Sequence, residues 1–298
     1  MNLIKPKKLH PGDTIAIIAP GGCIDIEKVS SVKKYFESKG YRVKLGDNIK
    51  KQNRYLAGND KERVEDLHNA FLDTDINAII CARGGYGAIR LLDKIDYEII
   101  RANPKIFCGF SDITALSAMF LKRAGLITFS APMAQSDFYP APDNYTLTSF
   151  FNALTKDTIQ ISSNNEILYN QMDVSGILLG GNLSTMASLC GVDFIPDEKF
   201  LFFAEDLNEP AYKIDRYFTQ LLNINKIKSN VCAILLGDFL DVDKPDYVSA
   251  FFKELSQEIN IPVIGKFAFS HARQKATVPV GASAAIQNNI ITVKNFTV

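Results

Sequence analysis

The stretch KIFCGFSDITALSAMF, residues 105–120, places a serine on a sharp turn between a strand pattern and a helix pattern. Its apolar run ends at Gly109, Ser111 follows, and Asp112 opens the helical pattern. A serine at this point is a favoured helix N-cap. The same strand–Gly–x–Ser–x–helix order is typical of a nucleophile elbow, although Ile113 replaces the last glycine of the usual G-x-S-x-G signature. The stretch predicts a strand-to-helix turn and leaves both roles of Ser111 open.

Strand and helix patterns alternate around this turn. Short apolar runs at 14–20, 41–45 and 76–82 alternate with amphipathic stretches such as 60–73. Alternation of this kind predicts right-handed crossovers and a mostly parallel sheet. We therefore predict an α/β fold in which an N-terminal, mostly parallel sheet with flanking helices carries the nucleophile elbow. A second, smaller α/β domain is expected to follow.

A proline-containing stretch with weak apolar periodicity divides the chain. We expect an N-terminal domain at 1–150, a linker at 151–174 and a C-terminal domain at 175–298. The end of the chain is predicted to form a hairpin that turns at 287–289, because asparagine suits tight hairpin turns.

Composition limits the classes of function. The chain has 298 residues with 33 basic and 33 acidic side chains, so its net charge gives no indication of a nucleic-acid or membrane partner. The first apolar stretch is too short for a signal peptide, and the sequence has no run of the roughly 18 apolar residues that a membrane helix needs. Five cysteines, an odd number, do not favour a disulfide framework. We expect a cytoplasmic protein.

A general base and its acidic partner have few candidates. Of the three histidines, His10 lies in a predicted turn and His68 in a charged helix, whereas His271 lies between an apolar run and a polar loop. His271 is therefore the strongest candidate base. Glu205 follows a strongly apolar strand pattern, and active sites of α/β sheets form at such strand ends. Asp206 remains a competitor for the same role.

The glycine-rich segment RGGYG, residues 83–87, does not fit a nucleotide-binding loop. Arg90 stands where G-x-G-x-x-G needs its last glycine. Gly84 and Gly85 can instead turn backbone N–H groups towards a reacting carbonyl, or they only shape a turn before a helix. The sequence lacks H-E-x-x-H and paired cysteines with metal-ligand spacing, so we expect no metal and no cofactor.

Four separated segments together resemble the LD-carboxypeptidases, serine peptidases of the S66 type. They are ARGGYGAIRLLDKIDYEIIRANPKIFCGFSDITAL, GGNLSTMASLCG, EDLNEPAYKIDR and SHARQKATVPVGASAAI. The segment IIAPGG at the first strand also fits. The resemblance therefore spans nearly the whole chain, and four blocks in the family's order are far more specific than one.

The resemblance implies a catalytic triad of Ser111, Glu205 and His271. It also implies an oxyanion hole formed by the backbone N–H groups of Gly85 and Asp112. The implied reaction is acyl transfer from an amide to the serine and then to water. By resemblance, the enzyme removes the terminal D-alanine of a murein tetrapeptide in the cytoplasm, without a metal, and forms a homodimer.

Several further residues are candidates for substrate binding. An exopeptidase has to bind the free terminal carboxylate, and an arginine can do so with two parallel hydrogen bonds. Arg83 and Arg273 adjoin the two motifs, although either can equally form a structural ion pair. Gly84 and Tyr86 complete the expected set.

Two departures from the family pattern concern substrate preference. Ser270 precedes His271 where the family usually has glycine. The segment FSAPM, residues 129–133, replaces a block that commonly reads HGPM. The three residues of the triad are all present.

Two other interpretations stay open. A microcin-C-immunity enzyme uses the same triad on peptide–nucleotides and needs an aromatic surface for the base, which tyrosine or phenylalanine has to supply because the chain has no tryptophan. The other class is a nucleotide-binding oxidoreductase or a non-catalytic binding protein. The failed glycine spacings count against a nucleotide-binding oxidoreductase. A non-catalytic binding protein requires Ser111 to be a helix cap only.

Overall fold

Two β-sheets with flanking helices form the fold in a computed structural model, which describes residues 2–163, 168–169 and 172–298. The strands in these residues are β1 (Thr14–Ile18), β2 (Arg42–Leu45), β3 (Ile76–Cys81), β4 (Ile106–Cys108), β5 (Thr128–Ser130), β6 (Thr158–Ser162), β7 (Leu168–Tyr169), β8 (Val174–Asn182), β9 (Phe200–Leu207), β10 (Val231–Leu240), β11 (Val263–Ile264), β12 (Val278–Val280), β13 (Ser283–Gln287) and β14 (Ile290–Lys294). The α-helices are α1 (Ile26–Ser38), α2 (Asp60–Leu72), α3 (Tyr97–Ala102), α4 (Thr114–Met119), α5 (Asn144–Thr155), α6 (Leu183–Ser188), α7 (Ala211–Leu222), α8 (Asn225–Asn230) and α9 (Pro245–Ile259). None of these helices has the length and apolar character required to span a bilayer.

The first sheet has the strand order β12-β5-β4-β3-β1-β2. Strands β1 to β5 pair in parallel, and β12 is antiparallel to β5. All five residues of β1 are buried, as expected for a parallel strand covered by helices. Helix α2 begins with a capping box formed by Asn59 and Glu62, which satisfies two backbone N–H groups at its first turn.

The second sheet has the order β6-β14-β13-β8-β9-β10-β11-β7. Its centre, from β8 to β11, is parallel, and its outer strands are antiparallel. The predicted α/β architecture, with a mostly parallel N-terminal sheet and a second α/β unit, is confirmed. So is the terminal hairpin, where Asn288 and Asn289 turn the chain with φ of +50° and +60°.

Other details differ from the sequence-based expectation. The predicted linker, 151–174, contains β6 and β7, which both pair within the second sheet, and part of this linker lies outside the described residues. Strand β12, from the expected C-terminal domain, joins the first sheet instead. The helix expected after RGGYG is only the short 3-10 helix Ala88–Leu91. The domain boundaries remain a prediction.

Helix α4 meets the end of β8 where the two sheets approach each other. The buried Thr114 Oγ accepts a hydrogen bond from the Asn182 N–H at 3.1 Å. Gly181 has a φ of +138°, and a Cβ at this position would lie 2.5 Å from the Thr114 hydroxyl. Glycine is therefore required here, since any side chain would push α4 away from β8.

Replacing Gly181 with alanine is expected to lower the free energy of unfolding by about 3 kcal/mol or more, because the methyl group overlaps Thr114 and the backbone is strained. Gly191→Ala is the matched control. Gly191 has a φ of +102° but open space where its Cβ would lie, so strain alone should cost about 1–2 kcal/mol. Urea unfolding measures both variants, and equal losses would contradict the close packing at Gly181.

Candidate active site

Ser111 lies on a strained turn between β4 and α4. Its φ is +60°, a conformation that is rare for residues other than glycine and recurs at functional sites. Gly109 is needed in this turn, because a Cβ there would lie 2.7 Å from the Ile113 side chain. Neither the 3-10 helix that starts at Ser111 nor α4 has a side-chain N-cap. The turn therefore has the geometry of a nucleophile elbow, and the helix-cap alternative has no hydrogen bond in its favour among the described residues.

Glu205 and His271 form a short hydrogen bond. Nδ1 of His271 lies 2.6 Å from Oε2 of Glu205. The carboxylate is buried, with 4% of the residue exposed, whereas the histidine is partly accessible. A carboxylate accepts a hydrogen bond from a protonated Nδ1. In this tautomer Nε2 of the ring carries a lone pair and can take up a proton.

Asp206 binds the start of α6, whereas His271 is bound by Glu205. Its carboxylate accepts hydrogen bonds from the Ser184 N–H at 2.7 Å and from Asn182 Nδ2 at 2.8 Å. Burial raises the pKa of Asp206, and hydrogen bonds from Leu207, Ser184 and Asn182 act in the opposite direction. Asn182 Nδ2 also lies 3.4 Å from Glu205 Oε1, so it braces the carboxylate that binds His271.

The segment that carries His271 is fastened to the end of β10. The Phe267 N–H donates to the Leu236 carbonyl at 3.1 Å, and the Asp238 N–H donates to the Phe269 carbonyl at 2.9 Å. Between these two bonds lies Gly237, where a Cβ would collide with the Phe269 carbonyl oxygen. The strand end therefore fixes the backbone just before His271.

Neighbours on both sides hold the His271 ring and backbone. Phe110 meets the imidazole edge-to-face, with 4.8 Å between ring centroids. Ser270, one of the two departures from the family pattern, is buried, and its Oγ accepts a hydrogen bond from the Ala272 N–H at 2.7 Å. The serine thus closes a small turn around His271.

A cleft of about 280 Å³ contains both Ser111 and His271. Its lining residues are Arg83, Gly84, Gly85, Phe110, Ser111, Met133, Ser136, Asp137, His271 and Lys275. Of the expected substrate-binding residues, Arg83 and Gly84 line this cleft. Arg273 is exposed and lines a separate groove. Tyr86 packs edge-to-face on Tyr55 and is not among the residues that line the cleft. A larger groove of about 560 Å³ between α5 and β6 contains none of the predicted site residues.

The cleft contains a buried ion pair that was not predicted from the sequence. Lys275 pairs with Asp137, and its Nζ also lies 4.0 Å from the centroid of the Phe110 ring. The two charged residues are 138 positions apart, so no local pattern connects them. Asn182 was also missed as part of the site, although an asparagine that ends a strand and caps a helix is a recognisable signal.

The glycine-rich loop after β3 packs directly on the Ser111 turn. A Cβ at Gly84 would lie 3.0 Å from Ser111 Cβ and 3.2 Å from the Asp112 backbone nitrogen. The side chain of Asp112 accepts a hydrogen bond from the Ala88 N–H at 2.9 Å. Burial raises the pKa of this carboxyl, while the N–H groups of Ala88 and Gly87 oppose the rise. The part of the chain that the structure describes has no cluster of three or more metal-ligating side chains.

Comparison with known families gives matches in both halves of the chain. Residues 15–131 match the LD-carboxypeptidase N-terminal domain, and residues 175–286 match the LD-carboxypeptidase C-terminal domain.

Individual relatives and solved structures are similar over nearly their full length. A probable murein peptide carboxypeptidase from Bacillus subtilis is 35% identical over 95% of this chain and 91% of that protein. A muramoyltetrapeptide carboxypeptidase from Oxalobacter formigenes superimposes with a TM-score of 0.86 at 31% identity, covering 96% of this chain and 100% of the other. An MccF-like protein from Bacillus anthracis gives a TM-score of 0.89 at 28% identity, covering 98% and 99%.

Changing Ser270 to glycine or alanine removes the acceptor for the Ala272 N–H. We expect the free energy of unfolding to fall by about 1 kcal/mol, the usual contribution of one buried hydrogen bond. Ser188→Ala, which removes an exposed hydroxyl on α6, is the control and should change stability by less than about 0.5 kcal/mol. Chemical denaturation measures each value. If the Ser270 variants and Ser188→Ala had the same free energy of unfolding, Ser270 would not stabilise the His271 turn.

Proposed function

The chain belongs to the LD-carboxypeptidase family and is a serine-type carboxypeptidase, and we propose that it removes the terminal D-alanine from murein tetrapeptides. The observation that carries this proposal is the cleft, which is lined both by Ser111 on its strained turn and by His271, a histidine paired at 2.6 Å with a buried glutamate. The similarity to a murein peptide carboxypeptidase and a muramoyltetrapeptide carboxypeptidase supports the substrate class.

The first chemical step is attack of Ser111 Oγ on the carbonyl carbon of the L,D-peptide bond. His271 takes the serine proton on Nε2, and Glu205 stabilises the imidazolium that results. The burial of Glu205 strengthens this charge pair, because water screens it little. The arrangement is that of a general base held in one orientation by a carboxylate.

The negative charge of the tetrahedral intermediate falls on the former carbonyl oxygen. The backbone N–H groups of Gly85 and Asp112 are the proposed donors to this oxygen, and one such donor is typically worth about 10²–10³ in rate. The protonated His271 then gives its proton to the amine of D-alanine, which leaves. Water, activated by the same histidine, hydrolyses the ester on Ser111 and restores the enzyme.

Arg83 is the proposed anchor for the terminal carboxylate of the peptide. It lines the cleft, and its Nη1 donates to the Cys23 carbonyl at 3.3 Å. Among the described residues it makes no ion pair, whereas the charge of Lys275 is offset by Asp137. Arg273 lines a different groove, so the two arginine candidates are no longer equivalent.

A second candidate function is hydrolysis of peptide–nucleotides. The structural similarity to the MccF-like protein favours it, and a microcin C7 self-immunity protein of Escherichia coli is 29% identical over 93% of this chain. The higher identity to the murein peptide carboxypeptidase leads us to prefer the first function. Cytoplasmic location and a homodimer, which the family resemblance implied, remain predictions.

Ser111→Ala is expected to abolish release of D-alanine from a murein tetrapeptide, since the nucleophile is lost. Mass spectrometry of free D-alanine, with EDTA present, measures the reaction. Ser117→Ala is the matched control, because Ser117 lies in the following helix and its buried hydroxyl has no partner among the described residues. Equal release by wild type and Ser111→Ala would rule out this nucleophile. No release by the wild type would direct the assay to aminoacyl sulfamoyl adenosines.

Arg83→Met is expected to lower kcat/KM for the tetrapeptide by about 10–100-fold, because a charge-assisted hydrogen bond to the carboxylate is worth about 1.5–3 kcal/mol. The same variant should lose the preference of the wild type for the free acid over the C-terminal amide of the peptide. Arg273→Met is the control and should retain both the rate and the preference. A preference that survives in Arg83→Met would show that another group binds the carboxylate.

A further inference from the structure

Buried charged side chains hold the glycine-rich loop from two sides. Arg63 reaches it from α2, and Asp112 reaches it from the nucleophile turn. We propose that these two side chains are positioning residues that keep the Gly85 N–H directed at the reacting carbonyl oxygen. The inference rests on the proposed serine mechanism and adds to it the groups that order its oxyanion hole.

Arg63 connects the loop after β1 to the loop after β3. Its Nη1 donates to the carbonyl oxygens of Pro20 at 2.5 Å and Gly87 at 2.8 Å. Its Nη2 donates to Asp60 Oδ1 at 2.6 Å, and the same carboxylate accepts two hydrogen bonds of 2.9 Å from Arg90, just beyond the loop. The Gly87 carbonyl is therefore fixed by a network of charged groups rather than by a single bond.

Burying Arg63 is costly, which argues for a role beyond packing. The side chain is fully buried, and its Nε has no hydrogen-bond partner among the described residues. Apolar residues of similar volume often stabilise a protein as well as a buried ion pair does, or better. The arginine supplies what an apolar residue does not, namely two donors aimed at backbone carbonyls.

Asp112 fixes the other side of the same loop. Its Oδ2 accepts from the Ala88 N–H at 2.9 Å, and the Gly87 N–H also stabilises the carboxylate. The loop is thus held at the Gly87 carbonyl by Arg63 and at the neighbouring Ala88 N–H by Asp112. Because the Asp112 backbone N–H is the second proposed oxyanion donor, this residue also sets the spacing between the two donors.

The loop needs such support because its own sequence is permissive. Gly85 and Gly87 have φ of +93° and +137°, and each ordered residue costs about 1–2 kcal/mol of backbone entropy. Gly84 packs tightly on the nucleophile turn, since a Cβ there would lie 3.0 Å from Ser111 Cβ. An oxyanion donor works only when it lies about 2.7–3.1 Å from the charged oxygen. Groups outside the loop therefore have to hold the Gly85 N–H at the required distance.

The test compares Asp112→Asn and Arg63→Lys with the control Lys105→Met. Lys105 is also a buried cation, and its Nζ donates to the carbonyls of Asp73 and Ile76, both at 2.6 Å, at the opposite end of β3. Two readouts are used. One is the pair of kinetic constants kcat and KM for the tetrapeptide. The other is the rate at which a fluorophosphonate labels Ser111, a reaction that places negative charge on a phosphoryl oxygen and needs no peptide.

We expect both loop variants to lower kcat and the labelling rate by about 10–100-fold, with KM changed less than twofold, because loosening a donor costs less than removing it. Circular dichroism should show them folded at the assay temperature. Lys105→Met should lower the melting temperature and leave kcat within twofold.

Three results overturn the proposal. The first is a loss of kcat in the loop variants that is fully explained by the fraction of unfolded protein. The second is a rise of KM in these variants with kcat unchanged. The third is a labelling rate of the variants equal to that of the wild type. A wild type that is labelled at Ser111 but releases no D-alanine refutes the proposed substrate alone, and the labelling rates then decide the positioning role. A wild type that neither cleaves the peptide nor reacts with the probe refutes both proposals.

Discussion

The contact between α4 and the end of β8 determines whether the two halves of the chain can share a site. Thr114 accepts a hydrogen bond from the Asn182 N–H, and Gly181 leaves room for the Thr114 side chain because it has no Cβ. Through that contact Ser111, which follows β4 of the first sheet, lies in the same cleft as His271, which follows β10 and β11 of the second. The parallel strands of each sheet carry functional groups at their carboxyl ends, and the contact brings these ends together.

Charge and strain are concentrated on the few residues that form this site. Ser111 has a left-handed backbone, Glu205 and Asp206 are buried carboxylates, and Lys275 is a buried cation paired with Asp137. Each of these features lowers stability unless its partners are correctly placed. Their accumulation around one cleft is the pattern of a site shaped for chemistry rather than for stability alone.

Local patterns predicted much of this arrangement. The alternation of strands and helices gave the α/β fold. Short segments gave the turn at Ser111, with its role open between helix cap and nucleophile, and His271 as the strongest candidate base. The sequence alone left Asp206 as a competitor of Glu205, and only the resemblance to the family motif assigned the acid to Glu205. Contacts over long sequence distances could not be predicted, since the pair of Lys275 with Asp137 and the return of β12 to the first sheet depend on tertiary packing. The same holds for Arg273, whose proximity to the His271 motif in sequence did not place it in the cleft.

Trapping the covalent intermediate is the most direct test of the proposed catalytic role of Ser111. The protein is mixed with a murein tetrapeptide, quenched in acid within milliseconds, digested and analysed by mass spectrometry. The proposed mechanism predicts that the tripeptide acyl group is found on Ser111, within the tryptic peptide that spans residues 106–122. An acyl group on any other residue, or a full first turnover of D-alanine with no acylated protein at any time point, would contradict it.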